Sequence, residues 1–191
     1  MQGKAVGGEF DGVKLRVLDS EKMPWAQWKA KYPNTLVWSE EGREDQASVP
    51  FEESQSTTGY RGLVATDKRL ATKDPVFGFI HEGIANAVSF KSFVDGATFR
   101  VDGGELFLFR SSVDPVERST AAWFSTAGFE RIGGVWREKD SKQTFDTEAR
   151  DFVDQNDPEQ DSMVKHFDRG FDTWWYNWSL NNPETRLLLA K

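Results

Sequence analysis

The chain carries one signature twice. Residues 25–37 read Trp-Ala-Gln-Trp-Lys-Ala-Lys-Tyr-Pro-Asn-Thr-Leu-Val, and residues 175–187 read Trp-Tyr-Asn-Trp-Ser-Leu-Asn-Asn-Pro-Glu-Thr-Arg-Leu. Trp25, Trp28, Pro33 and Thr35 match Trp175, Trp178, Pro183 and Thr185, each pair 150 positions apart. An apolar residue, Val37 or Leu187, follows in register. Two of the four identities are Trp, so chance is a poor explanation. A segment that recurs constrains architecture before any local reading, because each copy is expected to close one structural repeat in the same way.

The local chemistry of the copies agrees. Met23-Pro24 opens the first one, and Pro suits a first helical turn because its missing N–H has no partner there. Trp25, Trp28 and Tyr32 then fall at i, i+3 and i+7, on one helical face. Pro33-Asn34 stops the helix, and Thr35–Trp38 reads as a strand. In the second copy Asp172-Thr173 supplies N-cap chemistry. Trp174, Trp175 and Trp178 follow on the helix, Asn182-Pro183 ends it, and Thr185–Leu189 reads as a strand. Trp pairs at i, i+3 are expected to bury against the sheet of their repeat. Trp174 lies outside the matched pair and is the ring expected at the surface, where it would serve as a stacking platform or contact.

The rest reads as strands. Val13, Leu15 and Val17 alternate behind the turn dipeptide Asp11-Gly12. From Pro75 onward come Val76–Ile80, Ile84–Phe90, Ala97–Val101, Glu105–Arg110, Ala121–Thr126, Ile132–Glu138 and Gln143–Ala149. Glu82-Gly83 and Asp102-Gly103-Gly104 are read as hairpin turns, and Gly133-Gly134 as a turn or bulge. Two acidic, turn-rich stretches interrupt the pattern, at 39–59 and at 150–162. The expected organisation is the end of an incomplete first repeat (residues 1–38), a polar linker or long loop (39–74) and a complete second repeat (75–191). The expected fold class is α+β, mainly antiparallel β-sheet with one short Trp-bearing helix per repeat.

This arrangement resembles the DUF3179 family of proteins of unknown function. The residues that carry the resemblance are Gly3-Lys4-Ala5-Val6-Gly7-Gly8, Leu15, Leu18, Trp25-Ala26-Gln27-Trp28 and Tyr32-Pro33-Asn34-Thr35-Leu36-Val37. At the C-terminal end they are Trp174–Trp178 with Asn182-Pro183-Glu184-Thr185. Val76–Phe79 with Ile84–Phe90 is similar to the hairpin that opens a family repeat. Members often carry Cys-Pro-x-Cys after a central strand; the comparable place here, Leu106–Ser112, has no Cys. The resemblance implies a fold and a repeat, and no thiol or metal chemistry can be carried over from it.

Composition narrows function by exclusion. The chain has no Cys, which removes disulfides, thiolate metal sites and thiol catalysis. A net charge of −7 argues against non-specific nucleic-acid binding, which needs a basic footprint. No run of about 18 apolar residues is present, so no membrane-spanning helix is expected. No signal peptide is visible in residues 1–20, and the compartment stays open, extracytoplasmic if a leader has been removed. Gly-x-Ser-x-Gly, Gly-x-x-x-x-Gly-Lys and His-Glu-x-x-His are all missing. His81 and His166 are the only imidazoles and lack metal-ligand spacing. Asp154–Asp161 lacks the glycine and terminal Glu of a Ca²⁺ loop. The carboxylates of the acidic stretches, Glu40, Glu41, Glu44 and Asp45 in the first and Asp151, Asp154, Asp157, Glu159 and Asp161 in the second, read as solvated faces.

No catalytic residue, cofactor or metal is therefore assigned. The expected function is a non-enzymatic binding or assembly module, as a homo-oligomer or with a partner protein. The alternative is an enzyme, or a small-ligand or carbohydrate binder, with a cleft between the two segments. Its candidate residues are Trp174, His81, His166, Asp172 and Arg110.

Overall fold

The run Leu106-Phe107-Leu108-Phe109 has no polar face, and a strand apolar on both faces has to be covered on both. In the computed structural model, which describes residues 5–13, 22–38, 42, 57–115, 117–157 and 162–190, that run lies in strand β4 (Gly104–Phe109). Leu106 and Leu108 point into one core and Phe107 and Phe109 into another. The period-2 alternation of a strand thus sorts one sequence run into two layers.

Among the described residues three four-stranded sheets surround these cores. The first has the order β11 (Gly170–Trp174), β1 (Pro75–His81), β2 (Ile84–Ser89), β12 (Arg186–Leu187). The second is β10 (Lys165–His166), β5 (Ala121–Ser125), β4, β3 (Ala97–Val101). The third is β6 (Phe129–Ile132), β7 (Val135–Glu138), β8 (Thr144–Asp146), β9 (Asp151–Val153). Among these strands pairing is antiparallel except between β12 and β2. Two short α-helices complete the described residues, α1 (Trp25–Lys31) and α2 (Trp175–Asn181). The architecture is thus mainly antiparallel β, with two short helices.

Phe77, Phe79, Val88, Phe99, Leu106 and Leu108 fill the space between the first two sheets. Phe107, Phe109, Trp123, Phe129, Phe145 and Phe152 fill the space between the second and third. On its far side the first sheet is covered by α2, where Trp175 and Trp178 meet Val76, Ala87 and Ala65. Gly78 makes this approach feasible, because a Cβ there would lie 2.4 Å from the Trp178 ring. Residues 57–74 wrap the same helix. The Trp175 indole donates to the Asp67 carbonyl at 2.9 Å, and the Trp175 and Tyr176 amides donate to the carbonyls of Asp74 and Thr72.

Several local expectations change. Asp172 and Thr173 do not cap α2; they belong to β11 and pair with Phe77 and Val76. The cap position is Trp174, without a side-chain bond, because the carbonyls of Thr72 and Asp74 already take the first amides. Thr35–Trp38 forms no strand. Its counterpart Arg186-Leu187 is a strand only because β2 offers an edge, with Arg186 opposite Asn86 and Leu187 opposite Ala87. The stretch 132–138 divides at Gly133-Gly134, whose φ values of 59° and 89° make the two-residue turn between β6 and β7. Residues 151–153, expected in a loop, form β9, with Phe152 buried opposite Phe145. Of the Val13, Leu15 and Val17 strand only Val13 is described. Glu40, Glu41, Glu44, Asp45, Glu159, Asp161, Gly3, Lys4, Leu15 and Leu18 also lie outside the described residues.

Candidate functional site

The chain crosses from β10 in the second sheet to β11 in the first through residues 167–169, and a cleft opens beside this crossing. Its volume is about 390 Å³. Phe77, Trp123 and Phe171 give it apolar walls, and Lys22, Lys31, Arg118, Arg150 and His166 give it basic ones. Asp151, Asp168 and Asp172 are its acidic members.

Two of the sequence-derived candidates meet at its edge. Arg110, at the end of β4, is 2% exposed. Its Nη1 donates to Asp172 Oδ2 at 2.9 Å and to Thr120 Oγ1 at 3.3 Å, Nη2 to the Asp114 carbonyl at 2.8 Å, and Nε to the Ser112 carbonyl at 3.1 Å. Thr120 donates its amide and hydroxyl to the same Asp172 carboxylate, at 2.9 and 2.5 Å. The Phe90 ring lies 4.0 Å from the guanidinium. Burial lowers the Arg110 pKa from its ordinary value, opposed by the neighbouring Asp172 charge. Arg110 is not part of the cleft wall; it ties the second sheet to the first. Ser111-Ser112 bends the chain back so that the Ser112 carbonyl meets this guanidinium.

The histidines part company. His166 lines this cleft, with its ring 5.5 Å from that of Trp123. His81 is buried, with Nε2 2.7 Å from the Asp102 carbonyl and its ring between Phe124 and Phe167. It lines a second cavity of about 320 Å³, which His166 and Asp168 also border. Among the described residues no group of three His, Cys, Asp or Glu side chains is placed to hold a metal ion. Trp174 is half-buried, with the Lys73 ammonium 5.4 Å from its ring, and borders a shallow groove with Lys22, Phe90 and Pro115.

The duplicated residues make one identical device. Trp28 Nε1 donates to Thr35 Oγ1 at 2.8 Å, and Trp178 Nε1 donates to Thr185 Oγ1 at 2.8 Å. Pro33 and Pro183 hold the preceding residue out of the helical region, with Tyr32 at φ −129°, ψ 73° and Asn182 at φ −137°, ψ 71°. The Thr35 amide then reaches the Tyr32 carbonyl, and the Thr185 amide the Asn182 carbonyl. Helix, Pro stop and Thr acceptor form a closed clamp in each place.

The family model described as Protein of unknown function (DUF3179) matches residues 1–185. The chain belongs to the DUF3179 family. No curated protein and no solved structure matches it. The match to DUF3179 spans both clamps and every described strand except β12.

Sequence reasoning missed the buried carboxylates of this DUF3179 chain. Glu138 is 5% exposed, and its carboxylate accepts from the Ser125 hydroxyl, from the Asp140 and Ser141 amides, and from the Ser141 hydroxyl. Burial by itself would raise its pKa; those hydrogen bonds outweigh burial and hold it below the ordinary Glu value. Glu105, also buried, accepts from the Phe129 amide at 3.1 Å. Both hold turns closed. Their only trace in the sequence is an acidic residue in a strand beside a Ser- or Gly-bearing turn. No helix among the described residues is long and apolar enough to cross a membrane.

Proposed function

We propose that this DUF3179 protein is a non-enzymatic assembly module, and that its contact surface is the α1 clamp. One observation carries the reading. The α1 clamp makes the same bonds as the α2 clamp, yet Trp25 is 52% exposed, Leu36 95% and Trp38 86%, whereas Trp175 is 0% exposed. An exposed apolar patch of this kind is a docking surface by default. The α2 clamp supplies the template for its occupant: two antiparallel strands, with a glycine where the indole lands and an open edge for the residues after the Thr. The partner is therefore a β-hairpin of another polypeptide, presenting a small residue to Trp28 and a strand edge to residues 36–38. The reading of the two clamps as copies of one structural repeat, 1–38 and 75–191, belongs to the same proposal and is supported by their matching bonds and dihedral angles.

A photo-crosslinking residue in place of Trp38, in the full chain in its native host, tests it. The expected product joins position 38 to a strand of another polypeptide, and the pair Trp25→Glu, Leu36→Glu, which leaves the crosslinker in place, abolishes it. Crosslinks confined to the same chain would overturn the proposal. The crosslinked peptide also tells a second copy of this chain from a different protein.

A further inference from the structure

His81 leaves a hydrogen-bond acceptor unused. The residue is 8% exposed, and its Nε2 lies 2.7 Å from the Asp102 carbonyl. A carbonyl only accepts, so Nε2 carries the proton, and in the neutral ring Nδ1 keeps its lone pair. Nδ1 is buried and has no hydrogen-bond partner. Native interiors leave few polar groups in this state, because such a group has lost its water without replacement.

Alternation along β1 puts His81 on the face of Phe77 and Phe79, which fills the space between the first two sheets. The cavity of about 320 Å³ lies at that end of the space. The groups around the ring, Phe124 at 5.6 Å, Phe167 at 6.1 Å and Asp102, all line it. Its volume falls in the range of small-molecule sites. Glu82 and Asp168 stand exposed at the rim, and neither makes a hydrogen bond or ion pair with another described residue. Asp102 meets Arg186 only at 4.0 Å. Lys165 and Arg169 stand against these three acids, so the rim is close to charge balance and selects neither a cation nor an anion. What the cavity offers is acceptors: a nitrogen lone pair among aromatic rings, and carboxylates at the mouth. An uncharged ligand with several O–H groups and one apolar face matches that set, since hydroxyl-to-carboxylate bonds are charge-assisted and aromatic rings cover apolar surface.

We infer that this cavity binds a neutral polyhydroxylated small molecule, of the sugar class, whose hydroxyls donate to Asp168 and to His81 Nδ1 and whose apolar face lies on Phe124. Because Nδ1 is sealed from solvent, the half-buried Phe124 ring yields as the hydroxyl enters. The site lies within residues 75–191 and is distinct from the docking surface of α1.

The His81 ring itself provides the readout. Long-range proton–nitrogen NMR is recorded on the full-length protein at about pH 8, above the ordinary His value of about 6.5, with His166→Gln assigning the signals. The free protein is expected to show the Nε2–H tautomer at His81. Glucose, galactose and myo-inositol are titrated beside fully O-methylated glucose, which accepts hydrogen bonds and donates none, and beside the charged compounds choline and glucuronate. At least one of the three neutral polyols is expected to shift His81 Nδ1 saturably, and O-methylated glucose to leave it in place. Asp168→Ala, an exposed change that preserves the fold, is expected to weaken that binding about tenfold. Affinity is expected to hold within about twofold as ionic strength rises from about 0.01 to about 0.15 M, since a neutral ligand is not screened. The Nδ1–H tautomer in the free protein, a response to O-methylated glucose equal to that of glucose, or no saturable shift with any of the three polyols would overturn the site. So would unchanged affinity in Asp168→Ala. Tighter binding of choline or glucuronate than of every neutral polyol would overturn the assignment of a neutral ligand.

Discussion

The α1 and α2 clamps share their hydrogen bonds and differ in their surroundings. In α2, Trp175 and Trp178 are 0% and 4% exposed and rest on β1 and β2. In α1 no residue is buried, although the Trp28–Thr35 bond has the same length as the Trp178–Thr185 bond. A Trp-x-x-Trp…Pro-x-Thr sequence therefore dictates a local turn geometry and says nothing about depth. Depth depends on whether a sheet with a glycine gap and an unpaired edge lies alongside. The same side chains act as core in one place and as surface in the other.

The largest effect that would break this comparison comes from truncating the indoles. Trp178→Ala is expected to cost about 3–5 kcal/mol of folding stability, as deletion of a buried aromatic does, and Trp25→Ala within about 0.5 kcal/mol, as at other surface positions. Denaturant unfolding measures both; comparable losses would mean that α1 is covered in solution. Next comes the gap beneath α2. Gly78→Ala puts a Cβ into the Trp178 ring and is expected to cost about 1–3 kcal/mol by overpacking, with loss of the Trp178 near-ultraviolet signal. A neutral result would show that α2 can lift off β1.

The hydroxyl acceptors sharpen the comparison at smaller scale. Thr185→Val leaves a buried indole N–H without its acceptor and is expected to cost about 1–3 kcal/mol. Thr35→Val removes the same bond where water can replace it, and a loss below about 0.5 kcal/mol is expected. Acid separates both clamps, whose Trp–Thr bonds involve no carboxylate, from the third sheet. The Glu138 pKa is held below its ordinary value, so the stabilisation it supplies is complete above the ordinary Glu range, about 4.3, and disappears as pH falls through the lowered value. Glu138→Gln is expected to flatten the stability profile in that acidic window and to leave the stability difference between Trp178→Ala and Trp25→Ala unchanged. An unaltered acid limb in Glu138→Gln would place the titrating group elsewhere.

Much of the fold was legible because period and turn chemistry are local. Ala97–Val101 stands where alternation placed it, and Glu82-Gly83, with φ values of 48° and 77°, closes the β1–β2 hairpin. Errors gathered where a partner decides. Asp172-Thr173 has the composition of a cap and became a strand because β1 pairs with it. The 35–38 stretch has the composition of a strand and stayed unpaired because no described strand lies beside it. Of the site candidates, Arg110 and Asp172 were found by residue type and joined by the fold. Lys22, Lys31, Arg118 and Arg150 were invisible as a group, because charges scattered from position 22 to position 150 carry no pattern until the chain folds.

By itself the sequence determined the two clamps, the hairpins and the two-faced strand β4, since each follows from neighbours a few residues apart. Tertiary structure decided which clamp is buried, which carboxylates are sealed and which cations share a cleft. Those outcomes depend on sheet edges and on desolvation by residues distant in the chain, quantities that no local window contains.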